Sequence, residues 1–155
     1  MTDHTTLDTE AVALWMADHI KGFQGPVSAI KFTLGQSNPT YALTAPSGRY
    51  VLRRKPPGIL LKSAHAVERE FRVQNALSGS AVPVAKMYKL CEDTSIIGSA
   101  FYVMDMIDGV TYNEPHLPHL ARDKRRPIII EMNRVLGAIH NVDLSATGLT
   151  DFGPE

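Results

Sequence analysis

Three short stretches with the alternation typical of β-strands follow one another within residues 30–54, and only two tight turns separate them. The three predicted strands are Ile30–Leu34, Thr40–Ala45 and Tyr50–Arg54. The turns, Gly35–Pro39 and Pro46–Gly48, contain small, polar and proline residues, which is the usual composition of reverse turns. Because connections this short join antiparallel neighbours, the segment predicts an antiparallel meander.

In the first of these strands, Ile30, Phe32 and Leu34 alternate with Lys31 and Thr33. Side chains along a strand point alternately to the two faces of a sheet. The three apolar residues are therefore expected to face a core on one side of the strand.

The rest of the chain adds helices and two more strands. Helices are predicted over Asp8–Lys21, where apolar residues recur at helical spacing, and over Ser63–Leu77, which a serine can cap and a glycine follows. A third helix is predicted to begin at Pro127, because proline suits the first helical position, and it carries an apolar stripe towards His140. The two further strands are Val84–Leu90 and Ala100–Met106.

Composition places the chain among ordinary soluble proteins, with 44% hydrophobic and 21% charged residues. No stretch approaches the roughly 18 apolar residues of a transmembrane helix, and the polar, acidic residues 1–10 are unlike a signal peptide. Sixteen basic residues balance sixteen acidic ones, so net charge supports neither a nucleic-acid nor a membrane partner. The lone Cys91 allows no internal disulfide and fits a reducing cytosol, so a cytoplasmic protein is expected.

Glu70 is a charged residue at a position where the pattern predicts an apolar one. On the predicted second helix it shares a stripe with Ala66, Val73 and Leu77 at helical spacing. A carboxylate on such a stripe either needs a cationic partner or lies at its edge and reaches water, and the pattern leaves both possibilities open.

The third strand carries the nearest candidate partners for this carboxylate, Arg53 and Arg54. Because side chains alternate along a strand, only Arg53 shares a face with Val51, whereas Arg54 points to the other side with Leu52. Arg53 is therefore the predicted partner of Glu70.

Two segments offer backbone groups to a ligand. The turn Gly35-Gln36-Ser37-Asn38 has amides that could approach a phosphate, but it matches no Walker A or GxGxxG motif, and by itself an ordinary hairpin turn is favoured. The strand end Met104–Gly109 exposes N–H and C=O groups that could bind a flat heterocycle, although by itself an ordinary strand exit is favoured.

Two features suggest metal binding and are rejected. Asp151-Phe152-Gly153 looks like the magnesium-binding segment of protein kinases, but no catalytic loop with Asp and a following Asn precedes it, so a turn is predicted. His116 and His119 lack a cluster of Cys or carboxylate residues around them, so a loop without metal is predicted.

Taken together, these segments resemble the N-terminal part of the aminoglycoside phosphotransferase family, which has a protein-kinase-like fold. The branch that is most similar also forms the N-terminal domain of some acyl-CoA dehydrogenase family proteins. The resemblance covers nearly the whole chain, and the run Arg53-Arg54-Lys55-Pro56-Pro57-Gly58 is its most specific part. The other matching segments are Gly35–Tyr41, Ser63–Phe71, Val82–Val84, Leu90–Asp93, Ile97–Met104, Leu136–His140 and Gly148–Gly153.

The resemblance implies an α+β fold, in which a five-stranded antiparallel sheet with one main helix forms a kinase-like N-lobe. It also implies ATP and Mg²⁺ as cofactors. Gly35, Gln36, Ser37 and Asn38 would cover the phosphates, and Arg53 would stand where the family usually has a lysine that contacts them, with Glu70 as its helix partner. Asp105 and Ile107 would offer backbone groups to adenine, and Met104 would lie behind the ring.

The sequence departs from the family at the catalytic centre. The His-Gly-Asp segment with its following Asn is absent from the 155 residues, and so is the magnesium-binding Asp, so no catalytic residue or metal ligand is assigned. Phosphoryl transfer depends on such groups for positioning and charge neutralisation. The chain alone is therefore expected to bind nucleotide at best weakly and not to turn over.

Residues 1–108 are thus predicted to form a nucleotide-binding lobe, and residues 109–155 a linker and the start of a helical lobe. The expected function is that of the nucleotide-binding part of an ATP-dependent phosphotransferase acting on the hydroxyl group of a small molecule. The alternative is a non-catalytic nucleotide-binding or protein-interaction module.

Against a two-lobed fold of well over 200 residues, a chain of 155 is expected to be truncated. The apolar stripe between Pro127 and His140 should then have lost its partners. Self-association through this exposed helix is one expected consequence.

Overall fold

The computed structural model of the chain describes residues 7–33, 37–56 and 66–153. Chain contacts divide the molecule into two compact units, Met1–Asn75 with Ala85–Met106 and Ala76–Val84 with Ile107–Glu155. The predicted roles of residues 1–108 and 109–155 stay predictions.

A five-stranded antiparallel sheet forms the first unit, in the spatial order β1-β2-β3-β5-β4. The strands are β1 (Ser28–Lys31), β2 (Thr40–Ala45), β3 (Gly48–Arg54), β4 (Met87–Cys91) and β5 (Phe101–Asp105). The first three form the predicted meander, and β5 joins β3 in register, with Arg53 opposite Tyr102. The predicted α+β fold with a five-stranded antiparallel sheet is confirmed.

Helix α1 (Thr9–His19) covers one face of this sheet. Asp8 caps it by accepting a hydrogen bond at Oδ1 from the amide of Ala11 (3.0 Å), which satisfies one of the unpaired N–H groups of the first turn. Its buried residues Val12, Trp15 and Met16 recur at helical spacing. They pack with alternate residues of the strands, including Leu43, Leu52, Phe101 and Val103.

Helix α2 (Val67–Ala76) packs on the opposite face of the sheet. Val67 and Tyr102 belong to one apolar cluster, against which Phe71 packs, and Gln74 Nε2 donates to the Tyr102 hydroxyl at 3.3 Å. The sheet-facing side of the helix therefore runs through Val67, Glu70, Phe71 and Gln74, not through the predicted neighbours Ala66, Val73 and Leu77. The predicted capping residue, Ser63, lies outside the described residues.

The predicted orientation of β1 was wrong. The side chain of Ala29 packs on the α1-side core, whereas Ile30 is 76% exposed and Phe32 is 39% exposed. Strand alternation correctly separated Ala29 from Ile30 and Phe32 on the two faces of β1. The prediction failed because α1 packs against the face of Ala29. Leu34 lies outside the described residues.

The second unit contains the long helix α3 (Arg122–His140), which has no buried residue. It begins five residues earlier than predicted, so Pro127 lies inside the helix and not at its first position. Near the amino end this costs only one backbone hydrogen bond, to the carbonyl of Asp123. No helix in the described part of the chain is both long and apolar enough to cross a membrane.

Candidate functional site

Arg53 and Glu70 form an ion pair between β3 and α2. Arg53 Nε donates to Glu70 Oε2 at 2.7 Å, and Arg53 Nη2 donates to Glu70 Oε1 at 3.4 Å. The two side chains are 30% and 33% exposed. The cationic partner predicted for Glu70 is therefore present, and the carboxylate also lies near the edge of the covered face, within reach of water.

Two uncharged donors hold the same carboxylate from its other sides. Asn38 Nδ2 donates to Glu70 Oε1 at 2.9 Å, and the Tyr102 hydroxyl donates to Glu70 Oε2 at 3.0 Å. Burial, followed by the charge of Glu70, raises the pKa of Tyr102 to about 12, so its hydroxyl remains a donor at neutral pH. Each oxygen of Glu70 thus accepts two hydrogen bonds, which orients the carboxylate towards Arg53.

The guanidinium of Arg53 also donates from Nη1 to Thr40 Oγ1 at 3.1 Å. Glu70 and Thr40 occupy three of its five N–H groups. Within the described residues, two N–H groups are left for a ligand on this partly exposed side chain. Such a forked cation is well suited to binding a phosphate or carboxylate.

A row of apolar residues crosses the same sheet face one pleat away from Arg53. Ile30 lies opposite Ala42, Ala42 opposite Val51, and Val51 opposite Met104. Residues opposite one another in an antiparallel ladder point to the same face, and Val51 and Arg53 are two residues apart, roughly 7 Å along the strand. Because α2 packs at the β5 side, the β1 end of the row stays open.

An open apolar row beside a cation can bind a ligand that joins a flat ring to an anion. Ile30 and Ala42 were not predicted from the sequence as members of this row. The alternation of apolar residues in β1 is a signal that includes Ile30, but the same pattern also predicts a face packed on a core, which is how we interpreted it. Met104 lies at the β5 end of the row, and its side chain packs against the α2-side core.

The remaining predicted ligand residues lie in different places. Gly35 and Gln36 lie outside the described residues, whereas Ser37 is exposed and Asn38 is 3% exposed. Asp105 ends β5 and accepts a hydrogen bond at Oδ1 from the Tyr88 hydroxyl (2.7 Å). Ile107 belongs to the second unit and is 63% exposed.

A second ion pair joins Lys55, the residue that follows β3, to Glu68 on α2. Lys55 Nζ donates to Glu68 Oε1 at 2.8 Å, while Glu68 Oε2 is buried without a hydrogen-bond partner among the described residues. Burial raises the pKa of Glu68, but the hydrogen bond and charge of Lys55, together with a backbone hydrogen bond, hold the net value below the ordinary one.

Arg54 points to the other face, as the alternation predicts, and is 5% exposed. Its Nε donates to Ser99 Oγ (3.0 Å) and its Nη2 to the carbonyl of Ile97 (2.9 Å). The positive φ of Gly98 (82°) lets the intervening loop turn back to these donors, and burial lowers the pKa of the guanidinium. Arg54 therefore fixes the β4–β5 loop and takes no part in the exposed site.

No group of three His, Cys, Asp or Glu side chains in the described ranges is arranged to hold a metal ion. His119 Nε2 and His116 Nε2 lie 3.2 and 3.5 Å from the carboxylate of Glu114, and both imidazoles are largely exposed. Asp151 lies in a turn after the last helix.

Comparison with known proteins gives consistent matches. The model of the phosphotransferase enzyme family matches residues 28–155. Acyl-CoA dehydrogenase family member 10 of Mus musculus is 50% identical over 131 residues, which are 84% of this chain and 12% of that protein. The probable acyl-CoA dehydrogenase IBR3 of Arabidopsis thaliana is 43% identical over 154 residues, covering 94% of this chain and 19% of that protein.

A crystal structure from Ralstonia eutropha, whose name places it among the aminoglycoside phosphotransferases, is 48% identical with a TM-score of 0.83. The match covers 96% of this chain and 43% of that one. The chain thus spans less than half the length of these relatives.

Proposed function

The chain belongs to the phosphotransferase enzyme family, and from that premise we propose that it is the nucleotide-binding part of an ATP-dependent kinase. In the whole protein, the phosphoryl group of ATP would pass to a hydroxyl group of a small molecule. The family supports phosphotransfer by a kinase-like fold. The parts that we propose beyond the family are ATP as the nucleotide and the hydroxyl group of a small molecule as the acceptor.

The observation that carries the proposal is the position of Arg53 beside the open apolar row. The base would lie on Ile30, Ala42 and Val51, with Met104 behind it. The phosphates would extend along the strand direction to the two remaining N–H groups of Arg53, roughly one pleat away. Glu70 holds the guanidinium in place before the ligand arrives, which lowers the ordering cost of binding. The predicted contacts of the adenine edge with the backbone of Asp105 and Ile107 belong to the same proposal.

We assign no magnesium ligand to the described residues, because the His-Gly-Asp segment with its following Asn is absent from the sequence. Mg²⁺, when bound, neutralises charge on the transferred phosphoryl group. No step through the metal is assigned to residues of this chain. The role proposed for the chain itself is to bind and orient the nucleotide, and we expect it to show no phosphotransfer by itself because its sequence contains no His-Gly-Asp segment.

Calorimetric titration of the chain with a set of nucleotide fragments tests the proposal. ATP with Mg²⁺ should bind more tightly than adenosine, which lacks the anion, and more tightly than inorganic triphosphate, which lacks the ring. Guanosine triphosphate serves as the control for base selection. Failure of ATP to bind, or equal binding of ATP and inorganic triphosphate, would contradict a site made of Arg53 and the apolar row.

The alternative, a protein-interaction module, has one observation in its favour. Helix α3 has no buried residue, and its large apolar side chains Ile129, Met132, Leu136 and Ile139 are 41–58% exposed. An apolar face of this kind marks a surface that another protein covers. We propose that copies of this chain associate through it, a role that is compatible with nucleotide binding in the first unit.

A further inference from the structure

We propose that Asn38 is a positioning residue, whose side chain orients Glu70 and through it the phosphate-binding guanidinium of Arg53. This inference rests on the proposed function, because it assigns how the nucleotide-binding cation is held. It gives Asn38 a role different from a side-chain contact with the phosphates.

Burial is the first observation. Asn38 is 3% exposed, whereas its neighbour Ser37 in the same turn is exposed. The Asn38 side-chain amide donates to Glu70 Oε1 at 2.9 Å. A hydrogen bond to a charged carboxylate is stronger than one to a neutral group, so the amide is committed to the protein.

A closed ring of hydrogen bonds is the second observation. Arg53 donates from Nη2 to the same Oε1 of Glu70 and from Nη1 to Thr40 Oγ1. Thr40 Oγ1 in turn donates to the backbone carbonyl of Asn38 at 3.0 Å. Two hydrogen-bonded paths therefore link Asn38 to Arg53. The side chain of Asn38 is linked through Glu70, and the backbone carbonyl of Asn38 is linked through Thr40.

The ring determines the direction of the free N–H groups of Arg53. Without the Asn38 amide, the one bond left at Glu70 Oε1 within the described ranges is the long one of 3.4 Å from Nη2, and the carboxylate can rotate about the shorter bonds at Oε2. The guanidinium fork would then turn away from its present orientation. Because a forked donor binds a phosphate only in a matching orientation, the loss of one buried amide should weaken nucleotide binding.

A double-mutant cycle separates this role from direct contact with the ligand. The chain and its variants Asn38→Ala, Glu70→Ala and Asn38→Ala with Glu70→Ala are titrated with ATP and Mg²⁺, after urea unfolding confirms that each variant is folded. We expect each single change to weaken binding about tenfold and the double variant to be no weaker than Glu70→Ala. Asn141→Ala, which removes an exposed side-chain amide at the end of α3, is the matched control and should bind as the unchanged chain does.

The isosteric change Asn38→Asp gives a second readout that needs no Glu70 variant. A second carboxylate beside Glu70 repels it when both are ionised, but a shared proton restores a donor between them. Binding relative to the unchanged chain should therefore be weak at about pH 8 and recover towards about pH 5.5. A purely structural role for Asn38 would give a ratio independent of pH.

The outcomes distinguish the two proposals. Additive losses in the cycle would show that Asn38 contacts the nucleotide itself and would overturn the inference alone, as would unchanged affinity of Asn38→Ala or a pH-independent ratio for Asn38→Asp. Absence of binding by the unchanged chain would overturn the proposed function and the inference with it.

Discussion

The guanidinium of Arg53 on β3 and the carboxylate of Glu70 on α2, 17 positions apart in the sequence, are joined by hydrogen bonds of 2.7 and 3.4 Å. The pair ties the central sheet to its helix and leaves part of the guanidinium exposed. Because both side chains are about one-third exposed, solvent screening limits the contribution of the pair to stability to under about 1 kcal/mol. Its position beside an open apolar row points to ligand binding as its main effect.

Removing the cation should impair ATP binding far more than folding. We expect Arg53→Ala to weaken ATP binding at least tenfold, because a charge-assisted contact with the phosphates is lost, and Arg53→Lys to retain part of it. Lys89→Ala, which removes an exposed cation on β4, is the control. Exchange of the two residues (Arg53→Glu with Glu70→Arg) should restore the ion pair but not the affinity, and unchanged affinity of Arg53→Ala in calorimetry would refute the role.

Ile30 tests the apolar row independently of charge. Ile30→Ser should weaken ATP binding by about fivefold, because the base loses an apolar contact, while the free energy of unfolding changes by less than about 0.5 kcal/mol for a side chain that is 76% exposed. Leu14→Ser is a matched control, since Leu14 is 66% exposed on α1. Equal effects of the two substitutions on affinity would argue against a base lying on β1.

Arg54 should matter for stability and not for binding. Arg54→Ala leaves the carbonyl of Ile97 and the hydroxyl of Ser99 without their buried donor, so we expect a loss of about 2–3 kcal/mol in the free energy of unfolding. Arg54→Lys should lose less, because it keeps one donor. Urea unfolding measures both, and a cost below about 0.5 kcal/mol for Arg54→Ala would contradict the assigned role.

Tyrosine ionisation should destabilise the fold at high pH. Burial, together with Glu70 for Tyr102 and Asp105 for Tyr88, raises the pKa of each hydroxyl to about 12. The neutral form is favoured in the folded state, so this stabilisation is complete below the unfolded pKa of about 10 and is lost as pH rises from about 10 to about 12.

Near-ultraviolet absorbance of tyrosinate follows this titration in the folded chain. Tyr102→Phe should remove part of the late-titrating amplitude, and Tyr88→Phe a similar part. If Tyr102→Phe left the late amplitude unchanged, the proposed environment of Tyr102 would be wrong.

The apolar face of α3 should mediate self-association. Met132→Glu with Leu136→Lys places a favourable ion pair at i,i+4 on this face and should lower the association measured by sedimentation velocity, without loss of helix. Ile130→Lys is the control, because Ile130 is also 58% exposed but lies away from the face formed by Met132 and Leu136. A monomeric chain at every concentration, or equal effects of both variants, would contradict the proposal.

Local chemistry made much of the fold predictable. Tight turns of Gly, Pro, Asn and Ser placed β2 at Thr40–Ala45 as observed, and helical spacing identified the buried face of α1. The positions of Arg53 and Arg54 on opposite faces followed from strand alternation alone. The anomaly of a carboxylate on a helical stripe left an ion pair and a water-exposed position open for Glu70, and the structure shows the pair with Arg53.

What the sequence alone determined about this protein was therefore which residues share a face and which charges need partners, because both follow from the periodicity of the backbone and the cost of burying charge. Only the tertiary structure decided which face was covered. Helix α1 covers the face of Ala29 and leaves Ile30 exposed. Helix α2 places the carboxylate of Glu70 where Asn38, Arg53 and Tyr102 all donate hydrogen bonds to it. Contacts between distant segments depend on how helices pack on a sheet, which no local pattern encodes.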